Sequence, residues 1–290
     1  MERLGTVAIV GVGLIGGSIG LALRARGLNG RVIGIGRDEA RLDEAVALGV
    51  IDEGTTDLAA GVAAAEVVVV CTPVTRIAAD VRLAAAHGPA GVLVTDAGSA
   101  KRRIVEEVER EARPRAVFVG GHPLAGSERK GAAHARADLF EGRVCVLTPT
   151  ARTPPDRLRR AHGFWTRLGC RVIELDPAAH DEALALTSHL PHAVAAALTA
   201  AIPAESLPLA AGAYRDGTRV AGSDAPLWTG IFLDNRAPLL RALDRFQDQV
   251  ARFRQALEAG DAETIRSWWD AARAGRGLFD AQNTPREIDD

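Results

Sequence analysis

Residues 7–20 read VAIVGVGLIGGSIG. An apolar β run, Thr6–Val10, leads into three glycines, Gly11, Gly13 and Gly16, spaced G-x-G-x-x-G, and a helical stretch over 18–25 follows. Each glycine has a mechanical reason. Gly11 permits the tight turn, Gly13 lets the backbone approach a pyrophosphate, and Gly16 lets the helix pack close to the strand. The phosphates then sit on a helix N-terminus, where free N–H groups and the helix dipole favour anions. Leu14 and Ile15 lie in that first turn and join the glycines as candidate cofactor contacts. A glycine-rich turn without a ligand can share the spacing. Here a strand comes before, a helix opens after, and a second strand follows at Arg31–Ile35, which is the setting the dinucleotide reading requires.

That second strand ends Gly34-Ile35-Gly36-Arg37-Asp38. An NAD site ordinarily carries an acidic residue here to hold the ribose hydroxyls. Gly36 stands in its place and Arg37 follows, which tilts the cofactor expectation from NAD toward NADP, because a guanidinium pairs with a 2′-phosphate. Two alternatives stay open: Asp38 reaches the ribose, or Arg37 stacks near the adenine without selecting. Further along, strands are predicted at 67–71, 92–95, 116–119, 144–147 and 171–175, with helices at 39–48, 104–112 and 156–168. Thr72 and Pro73, at the exit of the valine run, are further cofactor candidates. Alternating strands and helices predict an α/β fold, a Rossmann-type parallel sheet covered on both faces. After Asp176-Pro177 the β runs stop, and helical patterns cover 180–202, 236–258 and 261–273. The expected organisation is a dinucleotide-binding domain over 1–177 and an all-α domain over 178–290, with a frayed polar tail at 281–290.

Composition bounds the function classes. The 290 residues carry 35 basic and 37 acidic side chains, net −2, which argues against a nucleic-acid footprint. Cys71, Cys145 and Cys170 show no CxxC or metal-ligand spacing and read as small buried apolar residues, so no metal is expected. No signal peptide precedes the first strand, and the alanine-rich segment 193–202 is too short to span a bilayer. A soluble cytoplasmic protein without membrane contact is the expectation.

The chemistry sits in three segments: TDAGSAK at 95–101, GGHPLAGSE at 120–128 and SHLPH at 188–192. His122 follows an apolar run and a glycine pair, where α/β enzymes keep an acid or base. Strand exits share one edge of an open sheet, so Ser99 and His122 are expected at one crevice. With GVGLIGGS at 11–18, ADLFEGR at 137–143, HDEALALTSHLPHAVA at 180–195 and YRDGTRVAGSDAPLW at 214–228, the chain resembles the prephenate/arogenate dehydrogenase family of tyrosine biosynthesis.

The resemblance implies oxidative decarboxylation of a cyclohexadienol ring with hydride transfer to NAD or NADP. It implies that His122 is the catalytic histidine at the ring hydroxyl and that Ser99 helps hold both. It sets Ser127 and Glu128 on the substrate side of the loop, His189 and His192 as a histidine pair with the second near the substrate side chain, and Arg219 on a substrate carboxylate. Asp216 and Trp228 shape the pocket, in part across a homodimer interface of the helical domain, whose Ala/Leu stretch 183–202 offers an apolar face. Without the resemblance each residue has a plainer reading. Ser99 caps a helix, His189 is a satisfied core histidine, Arg219 pairs with Asp216 on the surface, and Trp228 is core. Another hydroxyacid dehydrogenase of this architecture would place a lysine early in the second domain, and no lysine follows Lys130. A dinucleotide-binding sensor would need the glycine loop but not His122, Ser99 and Arg219 together.

Overall fold

The computed structural model describes residues 4–28, 30–110, 117–127 and 129–283. The first part is β1 (Thr6–Val10), α1 (Leu14–Ala25), β2 (Arg31–Ile35), α2 (Glu39–Ala47), β3 (Glu53–Thr55), α3 (Leu58–Val62), β4 (Ala65–Val70), α4 (Val74–His87), β5 (Leu93–Asp96), α5 (Arg102–Arg110), β6 (Val117–Pro123), β7 (Val144–Thr148), α6 (Pro155–Arg167) and β8 (Arg171–Glu174). The strands form one sheet in the order β3-β2-β1-β4-β5-β6-β7-β8. Order reverses between β1 and β4, so the loops leaving these two strands flank a crevice at their carboxyl ends.

Alternate residues of β1 explain why this run is a central strand. Val7 and Ile9 join one apolar cluster, with Leu23, Phe140 and Trp165, while Ala8 and Val10 join another, with Ile33, Val68 and Ile77. Burial on both faces suits the parallel core of the sheet. Gly11 has φ +94, and a Cβ on it would meet the Cys71 carbonyl oxygen at 2.9 Å; one on Gly16 would collide with the Gly11 carbonyl. Helix α1 begins at Leu14, earlier than its apolar periodicity suggests, because the glycine loop itself supplies the first turn.

The sheet departs from the expected all-parallel pattern at one place. β6 runs parallel to β5 through Val119, then pairs antiparallel with β7 over Gly120–Pro123, His122 opposite Val146. The Gly120-Gly121 pair makes this crossing possible. A Cβ on Gly121 would lie 2.8 Å from the Asp96 carbonyl oxygen, and one on Gly120 would collide with Thr148 Oγ1. His122 therefore stands in the ladder rather than on a loop beyond it.

The rest is helical: α7 (Pro177–Leu184), α8 (Leu190–Ala201), α9 (Gly212–Thr218), α10 (Ala225–Asp234), α11 (Arg236–Glu258) and α12 (Ala262–Asn283). A π-helical turn, Ala185–His189, joins α7 to α8, so the helical run is 25 residues, Pro177–Ala201, and not only the alanine-rich segment. Pro191 lies inside this continuous run, where its missing N–H removes one helical hydrogen bond, directly after the π-helical turn. Ile231 and Trp228 of α10 pack on the cluster that contains Val74 and Ile77 of α4. The helical segment through Leu239 thus clusters with the sheet in one compact unit, and Leu240–Asp290 forms a second. In that second unit Phe253 stacks on Trp268 with centroids 4.9 Å apart. The tail beyond residue 283 and Glu128 lie outside the described residues.

Candidate active site

The crevice at the strand exits opens into a cavity of about 770 Å³. Its floor is the glycine loop, Gly13 to Gly16, together with Cys71, Thr72 and Pro73 after β4. A Cβ on Gly13 would meet nothing within 4 Å, so the backbone there faces open space. The first-turn N–H groups of α1 have no intrahelical partner, and no acidic side chain occupies that turn. This fits a dinucleotide pyrophosphate. Thr72 Oγ1 donates to Asp80 at 2.7 Å, which holds the β4 exit against α4. Cys71 is only partly buried at this exit, unlike Cys145 and Cys170, because the strand ends at Val70.

At the ribose end, Arg37 is exposed. Asp38 caps α2, accepting from Arg41 N at 3.4 Å, and its carboxylate lies 3.5 Å from Arg41 Nε. A Cβ on Gly36 would press on Leu42.

Ser99, His122, Ser127, His192, Arg219 and Trp228 all line the same cavity. Ser127 Oγ accepts from Arg129 N at 3.2 Å. His192 stacks on Trp228, centroids 3.6 Å apart, and its Nδ1 donates to the Ser188 carbonyl at 2.9 Å. Burial lowers the pKa of His192, and the Arg219 charge adds to this. Lys130 and Asp224 form an ion pair at the cavity wall. Two expected residues are placed differently. His189 is buried behind Trp228, and its Nδ1 lies 3.0 Å from Asn235 Nδ2; burial pushes its pKa down to about 4. Asp216 is exposed beside Arg215, at 3.5 Å, rather than beside Arg219.

His122 is buried, and burial holds its pKa well below the usual imidazole range, with His180, Lys101 and His189 pushing the same way. A neutral imidazole beside a dinucleotide site can take a proton. Its Nδ1 lies 2.8 Å from His180 Nε2, and His180 Nδ1 lies 2.7 Å from Asp181 Oδ1. Asp181 also accepts from Lys101 N at 2.8 Å and Arg102 N at 3.0 Å, so it, and not Ser99, caps α5. Beneath lies a wholly buried ion pair, Asp96 with Lys101. Asp96 further accepts from Gly98 N and Gly121 N, both at 2.9 Å, fixing the backbone beside His122. Asn235 Nδ2 donates to the Asp181 carbonyl at 2.7 Å.

Sequence reasoning assigned no role to His180, Asp181, Asp96, Lys101 or Asn235. The first four lie inside quoted motifs, but only the fold brings positions 122 and 180 together. A smaller cavity of about 180 Å³, near Val105, Phe118 and Thr148, touches the motifs at Gly120 and is lined by none of the candidate site residues.

A doubly wound sheet with a dinucleotide cradle and a neutral imidazole at its carboxyl edge defines a nicotinamide-dependent dehydrogenase. Residues 19–174 match the family described as prephenate dehydrogenase, nucleotide-binding domain, and residues 176–270 match prephenate dehydrogenase, dimerization domain. The prephenate dehydrogenase of Bacillus subtilis (strain 168) is 34% identical, the alignment covering 92% of this chain and 74% of that protein. The cyclohexadienyl dehydrogenase of Zymomonas mobilis is 33% identical over 93% of this chain and 94% of that one. The crystal structure of prephenate dehydrogenase from A. aeolicus, in complex with hydroxyphenyl propionate and NAD+, superposes with TM-score 0.87 at 32% identity, covering 97% of this chain and 99% of that one. The chain belongs to the prephenate dehydrogenase family and is a nicotinamide-dependent oxidoreductase.

Proposed function

We propose that the cavity binds a cyclohexadienol dicarboxylate, prephenate or arogenate, with His122 at the ring hydroxyl. The supporting observation is that His122, Ser99 and Arg219 line one cavity with the glycine loop. The bound nicotinamide supplies the hydride acceptor for the carbinol carbon. As that carbon gains carbonyl character, the hydroxyl proton passes to His122 Nε2. Loss of the ring carboxylate as carbon dioxide aromatises the ring, and the phenol oxygen takes the proton back. No net proton is consumed, so a neutral histidine suffices. Ser99 orients the hydroxyl, and Arg219 holds a substrate carboxylate in bidentate fashion. His192, stacked on Trp228, lies toward the substrate side chain. Ser127 lines the loop side of the cavity, and the family resemblance makes Glu128 a further substrate-side candidate.

Exposed Arg37, with Gly36 where an acid would stand and Asp38 engaged at α2, favours NADP over NAD. Residues 178–290 serve as the substrate and dimerisation part. Leu198, Leu207, Leu209, Leu227 and Leu233 are exposed there, in keeping with a homodimer face, to which Asp216 belongs. The same face accounts for the apolar helix Pro177–Ala201 without a membrane. The free cysteines fit a reducing cytoplasm.

The test is nicotinamide reduction by the purified protein, with prephenate and arogenate each crossed against NAD and NADP. Turnover of either ring substrate, faster with NADP, is expected. A protein that binds dinucleotide yet turns over neither ring substrate would overturn the reading.

A further inference from the structure

We propose that His180 is a positioning residue that fixes the tautomer of His122, through a buried His122–His180–Asp181 chain anchored on the first turn of α5. The inference rests on the reading of His122 as the base and adds the device that keeps it one.

The assignment of protons follows from the acceptor at the far end. Asp181 receives backbone N–H groups from Lys101 at 2.8 Å and Arg102 at 3.0 Å. A group that already accepts two such bonds serves its third neighbour as an acceptor as well. His180 Nδ1, 2.7 Å away, therefore donates to it. Neutral His180 then has its lone pair on Nε2. That nitrogen lies 2.8 Å from His122 Nδ1, which must donate. The proton of neutral His122 is thereby held on Nδ1, and Nε2 is left with its lone pair for the cavity that His122 lines.

The alternative tautomer would put two lone pairs face to face at 2.8 Å, or a proton where the substrate hydroxyl must deliver its own. When His122 takes up a proton, the new charge polarises His180 toward the Asp181 carboxylate without any proton moving along the chain. The arrangement has the logic of a catalytic triad, in which a buried carboxylate sets the tautomer of the working imidazole. Here a second imidazole stands between them.

The surrounding groups keep the chain neutral until it works. Lys101, from the start of α5, and His189, behind α10, both disfavour a proton on His122, while Asp96 balances Lys101. His180 and Asp181 lie on α7, His122 on β6, and Lys101 and Asp96 at the β5–α5 junction. The chain therefore joins the nucleotide-binding part to the first helix of the region that follows, and all of it is buried.

The test uses the full-length protein. In ¹⁵N-histidine NMR at neutral pH, with His122 identified by its loss in His122→Asn, the ring is expected as the Nδ1–H tautomer. A proton on Nε2 would overturn the proposal whether or not the protein turns over a cyclohexadienol. In kinetics, His180→Leu removes the acceptor, and kcat is expected to fall by roughly 10²-fold, the scale of general-base catalysis, with KM and dinucleotide affinity little changed. His180→Gln retains an amide oxygen that can accept from Nδ1 and should recover about tenfold of that loss. Wild-type kcat in a folded His180→Leu protein would overturn the proposal. An inactive wild-type protein would sink the substrate reading alone, and the tautomer would still decide the chain.

Discussion

Much of the site reduces to which nitrogen of which histidine is available. His122 is the one imidazole whose position between a β ladder and the cavity gives it both a fixed orientation and a reacting partner. Replacing it by asparagine keeps a polar group of similar reach but no base near neutral pH. Turnover by His122→Asn is expected to fall by about 10²–10⁴-fold, while dinucleotide affinity measured by fluorescence titration stays within a factor of about two. Equal turnover would remove His122 from the chemistry. This residue was legible because its flanks are unusual: an apolar run, two glycines and a proline. His180 and Asp181 were not, although they stand within a quoted motif. Their meaning comes from a partner 58 positions away, and a neighbouring His-Asp pair has no periodic signature of its own. Asp216 shows the opposite limit. The resemblance alone sets it at the pocket, and its place beside Arg215 can be read only from the folded helix.

At the level of elements, the glycine loop and the parallel strands were readable because their signals are local. Backbone turns fix the first, and continuous apolar runs the second. The reversal at β6 was hidden, since Gly-Gly-His-Pro carries the chemistry of a turn as well as that of a crossing strand. The crossing depends on absent side chains. In Gly121→Ala the new Cβ would meet the Asp96 carbonyl oxygen at 2.8 Å and Thr95 Oγ1 at 2.9 Å, the first of them backbone that cannot swing away. Overpacking of this kind costs about 1–3 kcal/mol. The variant should melt several degrees lower in a thermal scan, and its kcat should fall with the displacement of His122. An unchanged midpoint would show that β6 accommodates the methyl by sliding. The helix starts were also mistimed in the sequence: α5 begins at Arg102 under the carboxylate of Asp181, a capping residue from α7 that local propensity does not reveal.

For the whole molecule, the histidines make stability depend on pH in a definite direction. Four of the seven, His122, His180, His189 and His192, have pKa values lowered in the folded state, burial being the first cause in each. Below the ordinary imidazole value of about 6.5 the unfolded chain binds protons that the folded chain refuses. Stability therefore rises with pH in this window and levels off above about 7, the three buried imidazoles, His122, His180 and His189, each contributing a slope of up to about 1.4 kcal/mol per pH unit and half-buried His192 less. Urea midpoints measured from pH 7.5 to pH 5 should fall steadily. A midpoint that holds constant to pH 5 would mean these imidazoles protonate in place. The outline at this scale, a sheet followed by helices, was plain from the end of the β runs near residue 177. Where the chain divides into compact units was not, because α10 buries Ile231 and partly buries Trp228 against the α4 face of the sheet.

The carboxylate of Asp181 both closes the first turn of α5 and ends the imidazole chain. The consequence is evolutionary. A change at position 181 that removes both oxygens unsettles the base and opens a helix terminus at once. A lineage that no longer needed the reaction would find this position a poor place to switch it off, and descendants altered there would be cleared by proteolysis rather than kept as well-folded relics.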